Sequence, residues 1–508
     1  MKRRGIVAGL LAAATALGVA ELMAAFIGPV GSPATAVGGA FIDRTPRWLK
    51  EFAIATFAEN DKAALLIGMA LTVAALAAAI GVVACRHLRV GIAAVLLLGV
   101  VPAVAAVSRP TGTLIDAIPA LTGALAGAAC LAWLTRANVH QDAAGDIASP
   151  QAGSRRAFLR VAVLVGVVGA TAGVLSRVVS MQRLDVNELR AALRLPPPAE
   201  PAPALSPGAN LKVPEVSPFY TSNADFYRVD TALSVPAVDS DTWTLRIHGM
   251  VDQEVTLSLP DLLSMPLIER DITLTCVSNE VGGKLLGNAR WLGVRVQDLL
   301  EEAGVSPDAD QIVSRSFDGM TIGTPTQALT DGRDALLAVA MNGEPLPVEH
   351  GFPVRMVVPG LYGYVSACKW IVEMEATTFA AYDPYWVERG WAEQAPIKTS
   401  SRIDTPRPLA SLASSEVTVG GVAWAQQRGI ESVEVRVDEG PWETAELADS
   451  GGIDSWRQWS WTWPSPTSGN HTLAVRATDG DGVTQSQERA EPFPNGSSGW
   501  HSVVVNVA

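Results

Sequence analysis

One thiol in this chain sits where chemistry could be done. Cys276 lies in the run TCVSNEVGGKLLGNARWLGVRVQDLL, residues 275–300. Before it, Asp271-Ile272-Thr273-Leu274-Thr275 alternates polar and apolar residues, the period of a half-buried strand. After it, Val294, Val296, Leu299 and Leu300 fall where a short amphipathic helix would bury them. Cys276 is therefore expected at a strand end, facing a glycine-bearing loop that lets a bulky group approach the backbone. A nucleophilic role would require a histidine base, for which His248 and His350 are candidates without any local signature. The plain alternative is a small buried core cysteine. Of the other cysteines, Cys85 and Cys130 fall in apolar runs and Cys368 at an expected strand end, so no framework of paired cysteines is present.

Three motifs in order, TCVSNEVGG, ARWLGV and HGFPVRMVVPG, resemble the molybdopterin-binding domain of the sulfite oxidase family. The resemblance implies that Cys276 gives a thiolate to molybdenum, a soft ligand for a metal that changes oxidation state. It also implies that Asn223, Tyr227 and Arg228, in the opening segment, lie over the pterin, with Arg228 on the substrate side. Animal and plant sulfite oxidases carry an Arg-Asn-His run there, whereas Val229 and Asp230 follow Arg228 here. That departure puts sulfite itself in question as the substrate. Downstream, Ser316-Phe317-Asp318-Gly319 and residues 341–370 match the family's second cofactor segment, so Asp318, His350, Arg355, Ser366 and Lys369 are the expected cofactor contacts. Cationic donors suit an anionic pterin phosphate. Trp391 falls where the family has a tyrosine beside the metal, with Tyr382 and Tyr385 close by; no role transfers to any of them. A disulfide between Cys276 and Cys368 would destroy the metal site.

Elements must position these residues, and the chain is long enough for about three units. Charge divides it sharply. Residues 1–180 hold 15 Lys and Arg against 8 Asp and Glu, and the remainder 23 against 43, so the two parts carry +7 and −20. The acidic part excludes nucleic acid and anionic lipid as its natural partners. The first 180 residues contain about five apolar runs long enough to cross a bilayer, at 5–27, 64–85, 90–107, 114–135 and 157–179. Basic residues flank them at Lys2, Arg3 and Arg4, at Arg86 and Arg89, and at Arg136, Arg155, Arg156 and Arg160, which places those segments in the cytoplasm and everything after residue 180 outside. Ser154-Arg155-Arg156-Ala157-Phe158-Leu159-Arg160 resembles a twin-arginine export signal, the route of proteins exported folded. No A-x-A cleavage site follows, so the fifth span is expected to stay as an anchor. No histidine pair is placed to clamp a haem, and Glu21 and Asp116 are the acidic residues near or within spans.

Residues 181–216, with LPPPAEPAPALSPG, read as an extended Pro-rich linker. A catalytic α+β domain is expected over 217–405. Beyond it, short alternating runs at 416–422, 432–438, 459–463, 472–478 and 502–507, parted by Gly469-Asn470 and Asp479-Gly480-Asp481-Gly482, predict a β-sandwich. This part resembles the immunoglobulin-like dimerisation domain that ends sulfite oxidases. The expected whole is an extracytoplasmic, membrane-anchored molybdenum-cofactor oxidoreductase that moves an oxygen atom to or from a small sulfur compound. It would exchange electrons with a separate redox protein, because no second cofactor motif is present, and could pair as a homodimer. A Cys-nucleophile enzyme and a catalytically inactive tethered binding module are the other readings.

Overall fold

The computed structural model describes residues 2–46, 49, 56, 61–109, 112–142, 186–232, 235–413 and 416–508. The chain forms two compact units, one of Met1–Asp185 with Ala232–Val235 and one of Val186–Thr231 with Pro236–Ala508.

Among the described residues of the first unit, four helices are long and apolar enough to cross a membrane: Lys2–Ile27, Ala63–Ala84, Leu88–Val107 and Leu114–Arg136. They correspond to the first four expected runs. The fifth run and the twin-arginine stretch lie outside the described residues. The helices pack through small residues: a Cβ on Gly9 would run into the backbone of Ala77 and Gly81, so only glycine allows this close approach. Glu21 accepts from Ser32 Oγ at 2.9 Å, and Ser32 caps the helix Pro33–Arg44. Asp116 closes a capping box with Thr113. Both acidic residues thus serve helix ends.

The second unit is rich in strands. Its first half contains β1 (Thr244–Gly249), β2 (Val255–Ser258), β3 (Ile268–Thr275), β4 (Leu286–Arg295), β5 (Gln311–Ser316), β6 (Thr321–Pro325), β7 (Leu336–Met341), β8 (Glu344–Pro345), β9 (Arg355–Val357) and β10 (Ile371–Thr377). They form one sheet of order β2-β1-β10-β5-β6 and another of order β3-β4-β7-β8, with β9 also on β7. The alternation at 271–275 is the end of β3. The helix predicted from Val294 begins at Val296, because β4 continues through Arg295, and it stops at Gly304 with φ +65°.

The second half contains β11 (Ser400–Thr405), β12 (Ser411–Leu412), β13 (Val417–Trp424), β14 (Ile430–Val437), β15 (Glu443–Thr444), β16 (Glu446–Leu447), β17 (Arg457–Trp463), β18 (Gly469–Asp479) and β19 (His501–Val507). Two sheets, β11-β13-β17-β16 and β12-β19-β18-β14-β15, bury one apolar core that includes Val419, Val433, Val435, Trp459, Leu473, Val475 and Val505. All five expected runs are strands here. Because β11 pairs with β13, residues 400–405 belong to this half, not to the end of the catalytic one as expected.

The Pro-rich stretch is extended yet bound along the unit. Arg190 donates to the carbonyls of Pro345 and Leu346, Ala199 N–H to Leu267, and Leu211 N–H to Gln458 Oε1. Glu200 bridges Arg270 and Arg295, which Asp334 also binds. From the short helix Val186–Ala192 through the prolines after it, the stretch expected as an extended linker is tied to both halves.

Candidate active site

Cys276 follows the last residue of β3 and is 9% exposed. The loop after it is held at both ends. Cys276 N–H donates to Leu285 O at 2.9 Å, Asn279 N–H to Cys276 O at 3.0 Å, and Leu285 N–H to Asn279 Oδ1 at 2.8 Å. The second half of the unit buttresses this turn: Arg402 donates to Gly283 O at 2.7 Å, Ser497 Oγ to Asn279 O, and Gln426 Nε2 to Thr273 O. A polar side chain from the second half, on a strand for Arg402 and on connecting turns for Gln426 and Ser497, thus fixes each stretch of backbone around the sulfur. Burial pushes the thiol up, while hydrogen bonds from Ser278 and the charge of Lys369 pull it back.

The ARWLGV motif supplies the floor. Trp291, on β4, is fully buried with its Nε1 donating to Ile272 O at 3.1 Å. Arg355 lies over its ring at 5.1 Å. Phe226 packs edge-on against Trp291 and His350 and stacks with Tyr227. Gly287 makes room for it, since a Cβ there would press on the Phe226 ring at 2.7 Å.

Arg355, the first residue of β9, is 5% exposed. Its guanidinium meets His350 O at 3.1 Å and Ala367 O at 3.5 Å, and its Nε has no partner. Burial holds its pKa down at about 10. A buried cation facing carbonyls rather than a carboxylate is a site prepared for an anion from elsewhere. His350 Nε2 lies 3.2 Å from Asn223 O, and burial, with the neighbouring Arg355 and Lys369, lowers its pKa to about 4. His350 is neutral at neutral pH and acts as a dipole.

Lys369 Nζ lies 2.8 Å from Asp230 Oδ2, and burial lowers its pKa to about 8. Arg228 Nε meets the same carboxylate at 2.7 Å. Arg228 is the exposed member, with its side chain 38% exposed, while that of Asp230 is 4% exposed. Two cations on one buried carboxylate leave a net positive charge at this end. Gly351, at φ +114°, lets the His350 turn pass close to Arg355 and Lys369.

Some expected contacts have side chains already engaged. Asn223 donates to Met341 O and Glu344 and accepts from Asn342, so its backbone carbonyl, not its amide, meets His350. Ser366 Oγ donates to the carbonyls of Leu361 and Tyr362. Asp318 accepts from Met320 N–H within its own turn. Tyr227 is half-buried, its hydroxyl raised by burial and by Cys276. Cys368 is fully buried on the β9 side, with its carbonyl taking Met356 N–H. Both Cys276 and Cys368 are free thiols.

Four residues at the site were given no role in the sequence reading. Asp230 was noted only as a departure, yet it pairs with both cations. Thr275 Oγ1 and Ser316 Oγ are buried without hydrogen-bond partners, as is Arg355 Nε. Tyr362 is buried, and its pKa is raised to about 12 by burial and by the nearby Cys276, with a hydrogen bond to the Lys398 backbone pulling it back. Its signal was its place directly after the HGFPVRMVVPG motif. Trp391 packs in an aromatic group with Tyr364, Trp386 and Phe493. Tyr382 reaches Thr321, and the Tyr385 ring lies under Arg389.

Residues 232–386 match the family described as oxidoreductase molybdopterin binding domain. An uncharacterized oxidoreductase, YuiH, of Bacillus subtilis is 36% identical over 153 residues, 30% of this chain and 74% of its own length. The chain belongs to the sulfite oxidase family of molybdopterin-dependent oxidoreductases. Human mitochondrial sulfite oxidase is 29% identical over 341 residues, covering 57% of this chain and 62% of that protein. The chain thus spans less than two thirds of the length of that relative. The sulfane dehydrogenase SoxCD of Paracoccus pantotrophus shares the fold, with a TM-score of 0.50 at 22% identity, over 57% of this chain and 83% of that one.

The residues present fit the family's cofactor. Beside the thiol of Cys276, the Thr275 hydroxyl is buried without a hydrogen-bond partner among the described residues, and so is Arg355 Nε, a buried guanidinium nitrogen that the protein alone leaves unsatisfied.

Proposed function

We propose that this protein carries out two-electron oxygen-atom transfer on a small sulfur-containing substrate, sulfite-like or sulfoxide-like, with a molybdenum–molybdopterin cofactor. The observation that carries the reading is Arg355, a nearly buried cation with an unpartnered Nε beside Lys369 and the His350–Gly351 turn. Cys276 would hold molybdenum through its sulfur. Arg355, Lys369 and His350 would hold the pterin phosphate, the first two by charge and the third by a hydrogen bond. When bound, the cofactor supplies the two-electron redox step and the oxygen transfer. The protein's own residues bind, orient and select. Arg228, at the exposed end of the Asp230 pair, meets an anionic substrate first.

The Cys-nucleophile reading is weaker. Burial raises the Cys276 thiol, and both candidate bases are engaged elsewhere, His248 with Glu373 and His350 with Asn223 O. A metal ionises such a thiol; a neutral core does not. Large apolar side chains such as Leu71, Leu97 and Val104 point outward from the first unit, which favours hydrocarbon over water around it. With the basic flanks and the twin-arginine resemblance, this supports a multi-pass membrane protein with its catalytic part outside. The paired sheets of the second half favour an immunoglobulin-like sandwich that could dimerise, and a separate redox protein would carry electrons.

Cys276→Ser is the test. The side chain keeps its shape, so the protein should fold, retain pterin bound by Arg355 and lose molybdenum turnover. Full activity in that variant would sink the proposal.

A further inference from the structure

The first sheet carries a second cluster of ligand-type side chains on its outer face, apart from Cys276. β1 and β10 are parallel neighbours, with Arg246 opposite Glu373 and His248 opposite Glu375. The alternation of a strand sends His248, Glu373 and Glu375 to one side. His248 Nε2 lies 2.6 Å from Glu373 Oε1, and the ligand atoms of His248, Glu373 and Glu375 all lie within 4.8 Å of one another. Arg315 donates to the other oxygen of Glu373 at 3.0 Å and so fixes its orientation. Arg246 is spent on a forked pair with Glu254. Among the described residues the Glu375 side chain makes no hydrogen bond or ion pair. It is a carboxylate held beside another carboxylate with no cation of its own.

We propose that His248, Glu373 and Glu375 bind a divalent cation of the zinc type. Two carboxylates balance the charge of such an ion, and one neutral imidazole with two oxygens is a donor set that borderline metals accept and that calcium and magnesium do not prefer. Arg315 plays the part of the outer partner that orients a ligating carboxylate. All three ligands stand on paired strands, so little ordering accompanies binding, and three protein ligands leave a fourth position to water. The site is independent of the molybdenum reading. Its cation would pin the middle of β10, a strand that begins two residues after Lys369.

The experiment is zinc titration of the full chain in detergent against a competing chromophoric chelator, with zinc and molybdenum content both measured. Wild type should take up one zinc per chain. Glu375→Gln should weaken that uptake at least tenfold and leave molybdenum content unchanged, because Glu375 has no partner in the fold to lose. His248→Ala should do the same. Absence of zinc uptake by wild type, or uptake by Glu375→Gln equal to wild type, would overturn the proposal. So would several weak sites untouched by either substitution.

Discussion

Arg355→Met separates two roles that a buried arginine can have. Lowering the guanidinium pKa from its ordinary value of 12.5 to about 10 corresponds, at about 1.4 kcal/mol per unit, to roughly 3 kcal/mol against keeping the charge in the cofactor-free protein. The contacts to His350 O and Ala367 O offset part of this, at about 1 kcal/mol each. Methionine removes the charge cost and loses the two bonds, and it still covers Trp291. Cofactor-free stability should therefore change by no more than about 1 kcal/mol. Cofactor binding should behave otherwise. A charge-assisted bond to phosphate is worth about 1.5–3 kcal/mol, so occupancy under limiting cofactor should fall at least tenfold. Thermal melts of the cofactor-free chain and molybdenum and pterin content of the isolated protein measure the two effects. Undiminished molybdenum, or a large loss of stability with normal cofactor content, would show that Arg355 is a structural cation and refute the reasoning.

Other consequences follow from the same geometry. Arg228→Ala, at the exposed end of the Asp230 pair, should raise the KM for an anionic substrate several-fold while molybdenum content stays near wild type; loss of the metal would mean the two ends of the site are reversed. Lys369 has its folded pKa near 8, so affinity for an anionic group should fall as pH rises through 8 in wild type and not in Lys369→Arg, as read by pterin retention between pH 7 and 9. His350 and His501 are both lowered to about 4 by burial. The unfolded chain therefore takes up these protons first, and the stability present above pH 6.5 is lost as pH falls toward 4, by up to about 3 kcal/mol per histidine. A melting temperature that stays flat from pH 7 to 4.5 would contradict the burial assigned to them.

Local pattern exposed much of this architecture in the sequence. β3 showed as alternation, and the strands of the second half showed as five short runs between Gly and Asp turns, because a sheet with one buried face writes period two into the chain. The four described apolar helices showed through length and hydropathy alone. What stayed hidden was pairing across long separations. Nothing local in Ser400-Ser401-Arg402-Ile403-Asp404-Thr405 says whether it closes the catalytic half or opens the next; its partner β13 decides. Proline content marked 181–216 as extended, but its attachment depends on Arg270, Arg295 and Asp334, far downstream.

The site divides along the same line. Cys276, Arg355, Lys369 and His350 were singled out by the motifs they stand in, and the structure sets Arg355 and Lys369 beside His350. Their electrostatic state was not legible, because it depends on Asp230, which has no motif and stands before β1. One carboxylate serving Lys369 and Arg228 leaves Arg355 the cation without an acidic partner at this end of the fold. That asymmetry favours the proposed division of the two ends. Arg228, the exposed cation of the Asp230 pair, can exchange that carboxylate for an incoming anion, which suits a substrate that comes and goes. The unpaired, buried one cannot relax without an anion that stays, which suits the phosphate of a resident cofactor.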